Sequence, residues 1–273
     1  MKNGLIALIA LTCVAGCAVK SGEGMPDARA ASGRAPQTNE SKRVLNVPRA
    51  LPIELIRISA SPEDGVSQAF LIGKFEVTYQ QFAPFIQATS YDGKDHPSSV
   101  SKEQFLDDWK GGMYPSARAF HPVCYLNVQH ARAYCKWLTY VTGHIVRLPT
   151  DAEWSLASMG KGHRRAYPWG DAWDPRCANI GGDSDGFEES APIGSFPLGA
   201  TPEGVHDMAG NIWEWTSSTP QAPVPDLGDP LGGHLRGGPW CMGPDTVLSK
   251  QIAREDPDRA DDKFGLRIVV EFP

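Results

Sequence analysis

The stretch HDMAGNIWEWTSS, His206 to Ser218, sets two acids and a tight turn beside two tryptophans. Asp207, Gly210, Asn211 and Glu214 can all present oxygen, through a side chain or through the main chain. In a strand, alternate side chains face opposite ways, so Trp213 and Trp215 enter a core while Glu214 turns to the other face. Oxygen donors suit Ca2+, which gathers roughly six to eight of them, and do not suit zinc or copper. The same residues also read as a solvated Gly-Asn hairpin turn with surface charge, and spacing alone leaves both readings open.

The other reactive side chains show no comparable pattern. Cys124, Cys135, Cys177 and Cys241 contain no CxxC spacing, which argues against structural zinc. In an oxidising compartment they could form disulfides, and four cysteines allow three pairings that spacing does not separate. Cys241 is a weak candidate for a lone reactive thiol, with no His or Arg beside it to lower its pKa. A buried thiol or half a disulfide is the plainer reading. His121, His130, His206 and His234 occur singly without a ligand spacing, and the basic run His163 to Arg165 reads as a solvated loop.

Three helices are legible around these residues. Thr78 with Gln81 three residues on forms a capping box, and Phe82, Phe85 and Ile86 supply an apolar face; Pro84 should kink or shorten that helix. Asn127 caps a clearer helix with Val128, Ala131, Cys135 and Leu138 on one stripe and Gly143 as its stop. Thr150 and Glu153 form a second capping box, for a helix ending at Gly160. Strands are expected at Ala69 to Thr78, NIWEWT, HLRGGPW and Gly265 to Phe272. Long loops rich in Gly, Pro and Asp separate them, notably Gly160 to Ser195 and Pro220 to Gly233. Few helices, scattered strands and so much loop imply an α+β domain whose loops need something besides a core to hold them.

The N-terminus reads as a targeting segment. Lys2 precedes the apolar run GLIALIALTCVAG, too short to span a bilayer, and the run ends in VAGC, Val14 to Cys17. Small residues before a cysteine resemble the lipobox of bacterial lipoproteins, which implies a signal at 1–16 and a lipidated Cys17. An ordinary secretory signal with an incidental Cys17 is the alternative. Ala18, where an inner-membrane retention signal would carry Asp, implies the periplasmic face of the outer membrane. From Cys17 to Val47 the chain has no aromatic residue and is rich in Ala, Gly, Ser, Pro and charge, so 17–47 reads as a flexible tether. Residues 48–273 suit one domain. The whole chain, with 41% hydrophobic residues and eight Trp, can fill a core, while its 28 Gly and 23 Pro imply much loop. The net charge of −6 becomes −7 when Lys2 leaves; without a basic stripe this argues against nucleic acid as a partner.

The motifs also follow a recognisable order: FEVTYQQF, HPVCYLNVQHARAYCKWL, RLPTDAEW, YPWGD, APIGSFP, GVHDMAGNIWEWT, LRGGPW and FGLRIVV. This series, over nearly all of Phe70 to Phe272, resembles the sulfatase-modifying-factor or formylglycine-generating-enzyme domain family, a variant of the C-type-lectin-like fold. One departure is IELIRISASPEDG, where these domains often open with a G-x-F-x-M-G strand. The resemblance implies calcium ions that pin the long loops. One matching set is the side chains of Asp207 and Glu214 with the carbonyls of Gly210 and Ile212. A second is the side chains of Asn179 and Asp185 with the carbonyls of Ile180 and Phe187, from ANIGGDSDGF.

The family's namesake holds copper between two cysteine thiolates just after a GG-S strand, soft ligands for Cu(I). Here Pro239 stands in the place of the serine, Cys241 comes one position early and the second cysteine is missing. Formylglycine generation by that route is therefore not expected. The resemblance then implies a calcium-stabilised, non-catalytic interaction module similar to TagR-type regulators of type VI secretion. Its expected partner is a periplasmic protein, such as the periplasmic region of a membrane kinase or another lipoprotein. The alternative is a periplasmic modifying enzyme, similar to PvdO-type proteins of siderophore maturation, with an active site unlike the two-cysteine one.

Overall fold

Two sheets and three helices build the domain in a computed structural model that describes residues 42–93, 105–181, 185–218 and 233–271. The expected signal segment, Cys17 and most of the expected tether lie outside the described residues, as does most of the loop Pro220 to Gly233. No helix among the described residues is long and apolar enough to cross a membrane.

The end of the expected tether is structured. Lys42–Leu45 form strand β1, antiparallel to β2, Ile53–Ile58, with Leu45 and Val47 buried, so residues 42–47, expected in the tether, belong to the fold. Its first three residues are exposed, which is why composition alone groups them with the linker. The β2 segment IELIRI, where the family's usual opening strand is absent, buries four of its six side chains and takes a strand's place. Next to it lies β3, Phe70–Gly73.

Each helix starts where its cap predicts. In α1, Tyr79–Thr89, the Thr78 hydroxyl accepts from the Gln81 amide while the Gln81 side chain returns to the Thr78 N–H, and the helix runs through Pro84. In α2, Val128–Thr142, Asn127 and His130 make the same reciprocal pair, and Gly143 ends the helix in the left-handed conformation. In α3, Asp151–Met159, Thr150 and Glu153 repeat it, and Arg147 grips the Glu153 carboxylate with two bonds of 2.7 Å.

The remaining strands are β4, Val146–Arg147; β5, Trp213–Trp215; β6, Gly233–Arg236; β7, Ala253–Glu255; β8, Phe264–Leu266; and β9, Val269–Glu271. One sheet runs β1-β2-β3-β9-β4, all antiparallel; the other runs β7-β6-β5-β8, with β5 and β8 parallel. The closing strand expected over Gly265 to Phe272 is therefore two strands in two sheets, broken at Arg267 and Ile268. Arg267 lies where the chain passes between sheets, and its side chain is fully buried.

Apolar burial on both sides of this junction supplies the driving force. Phe82, Phe85, Tyr134 and Trp137 pack ring on ring between α1 and α2, in one cluster with Trp213 and Trp215. Trp154 of α3 packs with Ile56, Ile72, Met208 and Val269. All four cysteines outside the N-terminal segment are free, Cys124, Cys135 and Cys177 buried and Cys241 exposed, so none of the disulfides left open by the sequence forms.

A candidate calcium centre and the cleft beside it

The Gly210-Asn211 turn is built for close approach. Both residues are left-handed, φ 77° and 65°, and a Cβ on Gly210 would clash with the carbonyl oxygen of Asn179. That contact lets Asn211 N–H donate to the Asn179 carbonyl at 2.8 Å, Gly210 N–H to Gly237 at 3.0 Å, and Trp240 N–H to Asn211 at 2.9 Å. Two remote segments, that of Asn179 and that of Gly237 to Trp240, thus meet at one turn. It is neither solvated nor a surface hairpin: Asn179, Gly210, Asn211 and Ile212 are all buried.

The Asn211 side chain joins them further. Its Oδ1 accepts from Ala191 N–H at 2.8 Å and from Asn179 Nδ2 at 3.1 Å, and its Nδ2 donates to both oxygens of Glu76. Glu76 is fully buried, and sequence reasoning missed it. The available signal was its place in FEVT between Phe75 and Val77, an acid within an apolar strand-like run. Burial holds its carboxyl well above the usual range, helped by the nearby charges of Asp207 and Glu214.

Glu214 alternates with its tryptophans as expected, but it faces a guanidinium. Arg267 donates to it at 2.7, 3.0 and 3.1 Å, and Trp154 Nε1 donates at 2.7 Å. Arg267 is anchored in turn by the carbonyls of Gly73 at 2.9 Å and His206 at 3.0 Å. Asp207 is left-handed, φ 57°, and accepts from Gly194 N–H at 2.7 Å. Its pKa is pushed up to about 6, chiefly by burial, with the neighbouring Glu214 charge adding to the shift.

Whether calcium fits can be tested on both residue sets. At the first, Asn179 Oδ1 is buried with no hydrogen-bond partner among the described residues, while Asp185 accepts from the Ile180 and Phe187 amides at 3.1 and 3.0 Å. Asp185 thus gathers Ile180 and Phe187, and Asn179, next to Ile180 in the chain, adds an unclaimed hard oxygen, a donor set of the kind calcium takes. At the second, Glu76, Asp207 and Glu214 are buried with Arg267 among them, and Arg236 lies across the Trp154 ring at 4.8 Å. Buried acids outnumber the guanidinium they share, which is why Glu76 and Asp207 are held toward their protonated forms, and a divalent cation would relieve that surplus. Any ion there shares Glu214 with Arg267. No three His, Cys, Asp or Glu side chains among the described residues converge as a metal cluster, so main-chain carbonyls must supply much of either shell.

Beside the first set opens a cleft of about 530 Å3, lined by Ile180, Gly181, Gly186, Phe187, Glu188, Trp240 and Cys241. Gly181 N–H donates to the Met242 carbonyl at 2.9 Å, which brings the Cys241 segment against the Asn179 loop. Cys241 is the one thiol among the described residues of this lining, and although it is exposed, the desolvation it does undergo raises its pKa against the opposing charge of Lys263. Burial also raises Cys124 and Cys177 and holds Cys135 at about 12. A two-thiolate copper site does not fit this lining.

The four histidines singled out by the sequence pack within the fold, with His206 Nδ1 and His234 Nε2 buried and lacking a hydrogen-bond partner among the described residues. His130 serves its helix cap, His121 faces Ser190 at 3.2 Å, His206 packs on Phe75, and His234 Nδ1 meets Asp151 at 2.5 Å. In the basic run, Arg165 pairs with Glu203.

Comparison with known proteins agrees with this architecture. Inactive C-alpha-formylglycine-generating enzyme 2 of Bos taurus is 34% identical over 159 residues, covering 54% of this chain and 49% of that protein. Hercynine oxygenase of Mycobacterium tuberculosis is 31% identical over 238 residues, 75% of this chain and 53% of that protein. The chain thus spans about half the length of these curated relatives. Among solved structures, PvdO from Pseudomonas aeruginosa superposes with a TM-score of 0.62 at 20% identity, over 85% of this chain and 100% of that one, a likeness of fold. The fold class is α+β and C-type-lectin-like, as the order of motifs implied. The sulfatase-modifying factor enzyme 1-like domain model matches residues 33–272, and this chain belongs to that family.

Proposed function

We propose that the domain is a calcium-stabilised, non-catalytic interaction module, held by a lipid on Cys17 at the periplasmic face of the outer membrane. Its loops engage a periplasmic protein, for which the resemblance to secretion regulators favours the periplasmic region of a membrane kinase. The observation that carries this reading is the cleft at Cys241: one thiol, its pKa raised, with Pro239 where the copper enzymes have serine. A thiol that stays protonated is a poor nucleophile and a poor ligand for copper. Kinship with a protein named as an inactive formylglycine-generating enzyme supports the same reading. The roomy cleft and the kinship with hercynine oxygenase favour a second one, a modifying enzyme without the cysteine pair.

The test uses the full-length protein solubilised from native membranes. Calcium without stoichiometric copper, co-purification of a protein with a periplasmic domain, and no oxygen uptake with thiol peptides are expected. Copper bound through Cys241, or oxygen-dependent turnover, overturns the non-catalytic reading.

A further inference from the structure

The two calcium sets are joined by a single buried side chain. Asn211 sits between Gly210 and Ile212, whose carbonyls belong to the Asp207/Glu214 set, and it bonds directly to Asn179 of the other set through its side chain and its backbone. The orientation of both amides follows from their partners. Ala191 offers an N–H, so the Asn211 atom facing it must be oxygen, and its nitrogen then faces the Glu76 carboxylate. Asn179 must therefore present nitrogen to Asn211 Oδ1, and the same nitrogen reaches the Glu189 carbonyl at 2.9 Å. Only Asn179 Oδ1 remains, buried and without a hydrogen-bond partner among the described residues.

We infer that Asn211, braced by Glu76, is a positioning residue that couples the two cation positions, so that filling one raises the affinity of the other. The inference rests on the calcium reading above. An ion on the Gly210 and Ile212 carbonyls fixes the turn, the fixed turn holds Asn211, and Asn211 holds the Asn179 amide with its oxygen outward. The second ion then orders less chain than it would alone, which is positive cooperativity through shared ordering. Glu76 acts through Asn211: its carboxylate claims Nδ2 and prevents the amide from flipping. Linkage requires the effect to be reciprocal.

Calcium titration of the chelator-stripped, full-length protein tests this by calorimetry, with two isosteric variants. Wild type is expected to bind two ions cooperatively. Asp207→Asn and Asp185→Asn, each emptying its own set, should weaken calcium at the other by the same factor, on the order of tenfold. Asn211→Ala should abolish that mutual dependence. Two ions bound with neither variant affecting the other set overturns the coupling and leaves the calcium reading standing. No calcium bound by wild type overturns both. If the variants do not fold, the wild-type isotherm decides: two independent sites are fatal to the coupling.

Discussion

Glu214 and Arg267 form an ion pair that is closed to solvent, three contacts of 2.7 to 3.1 Å between groups that are both 0% exposed. The pair ties β5 to the point where the chain leaves β8 for β9, so it fastens one sheet to the other. Desolvation of two ions offsets most of their attraction, which makes such a pair a specifier of geometry more than a source of net stability.

The consequence for mutation is asymmetric. Arg267→Met should destabilise the domain by about 3–5 kcal/mol, because it leaves Glu214 buried without its cation, beside Glu76 and Asp207. Glu214→Gln combined with Arg267→Met should be less damaging than the sum of the two changes. Urea unfolding of the four members of this double-mutant cycle measures the difference, and additive losses would contradict the pairing.

Much of the candidate site is legible in the sequence because its expected ligands fall within short motifs. Asp207, Gly210, Ile212 and Glu214 span eight residues, and Asn179 to Phe187 span nine. The residues that complete the site are not, because their roles exist only after the chain folds back. Arg267 is 53 residues from Glu214 and 194 from the Gly73 carbonyl it also holds; Glu76 is 135 from Asn211. Periodicity found the helices because each carries its own cap and stripe. It merged β8 with β9 because the break between them is a buried arginine and not a glycine or proline, and only tertiary pairing marks it.

Stability should depend on pH through two neighbours with opposite signs. Asp207, raised to about 6 in the fold, holds its proton longer than in the unfolded chain, so its contribution falls as pH rises from about 4 to 6. His206 is lowered to about 4, first by burial and then by Lys74, so the unfolded chain takes up its proton first and stability rises across about pH 4 to 6.5. Chemical denaturation without calcium should therefore show a steeper gain with pH for Asp207→Asn than for wild type. His206→Phe should show a shallower one. Equal slopes in all three would refute both assignments.

Calcium removal should reproduce the loss of a ligand. An ion that binds only the folded state stabilises it by mass action, by roughly 2.7 kcal/mol at a concentration 100 times its Kd. Asn179→Ala deletes the unclaimed oxygen together with the two hydrogen bonds made by Nδ2, so it should lower the melting temperature in chelator and lower it further in calcium. Thermal scans of both proteins, with and without chelator, decide the matter: a chelator-insensitive wild type removes the metal assignment.

The proposed membrane attachment would depend on Cys17, which lies outside the described residues. Several acyl chains on Cys17 would anchor the protein stably, since each buried CH2 contributes about 0.8 kcal/mol. Cys17→Ser should move the protein from the membrane to the soluble periplasmic fraction. Unchanged fractionation would show that the lipobox resemblance misleads.

Gly210→Ala tests the turn itself, independently of any metal. The substitution adds one methyl to a residue at φ 77°, where an L side chain costs roughly 1–2 kcal/mol, and points it at the Asn179 carbonyl. Backbone cannot move aside as a flexible side chain could, because Asn211 N–H holds that same carbonyl at 2.8 Å. A loss of at least about 2 kcal/mol is expected in urea, with or without calcium. Gly112→Ala supplies the control: it is also left-handed, φ 76°, but a Cβ there meets nothing within 4 Å, so it should lose the conformational share alone. Equal losses at the two glycines would mean that the close approach of the turn to Asn179 contributes nothing to holding these loops together.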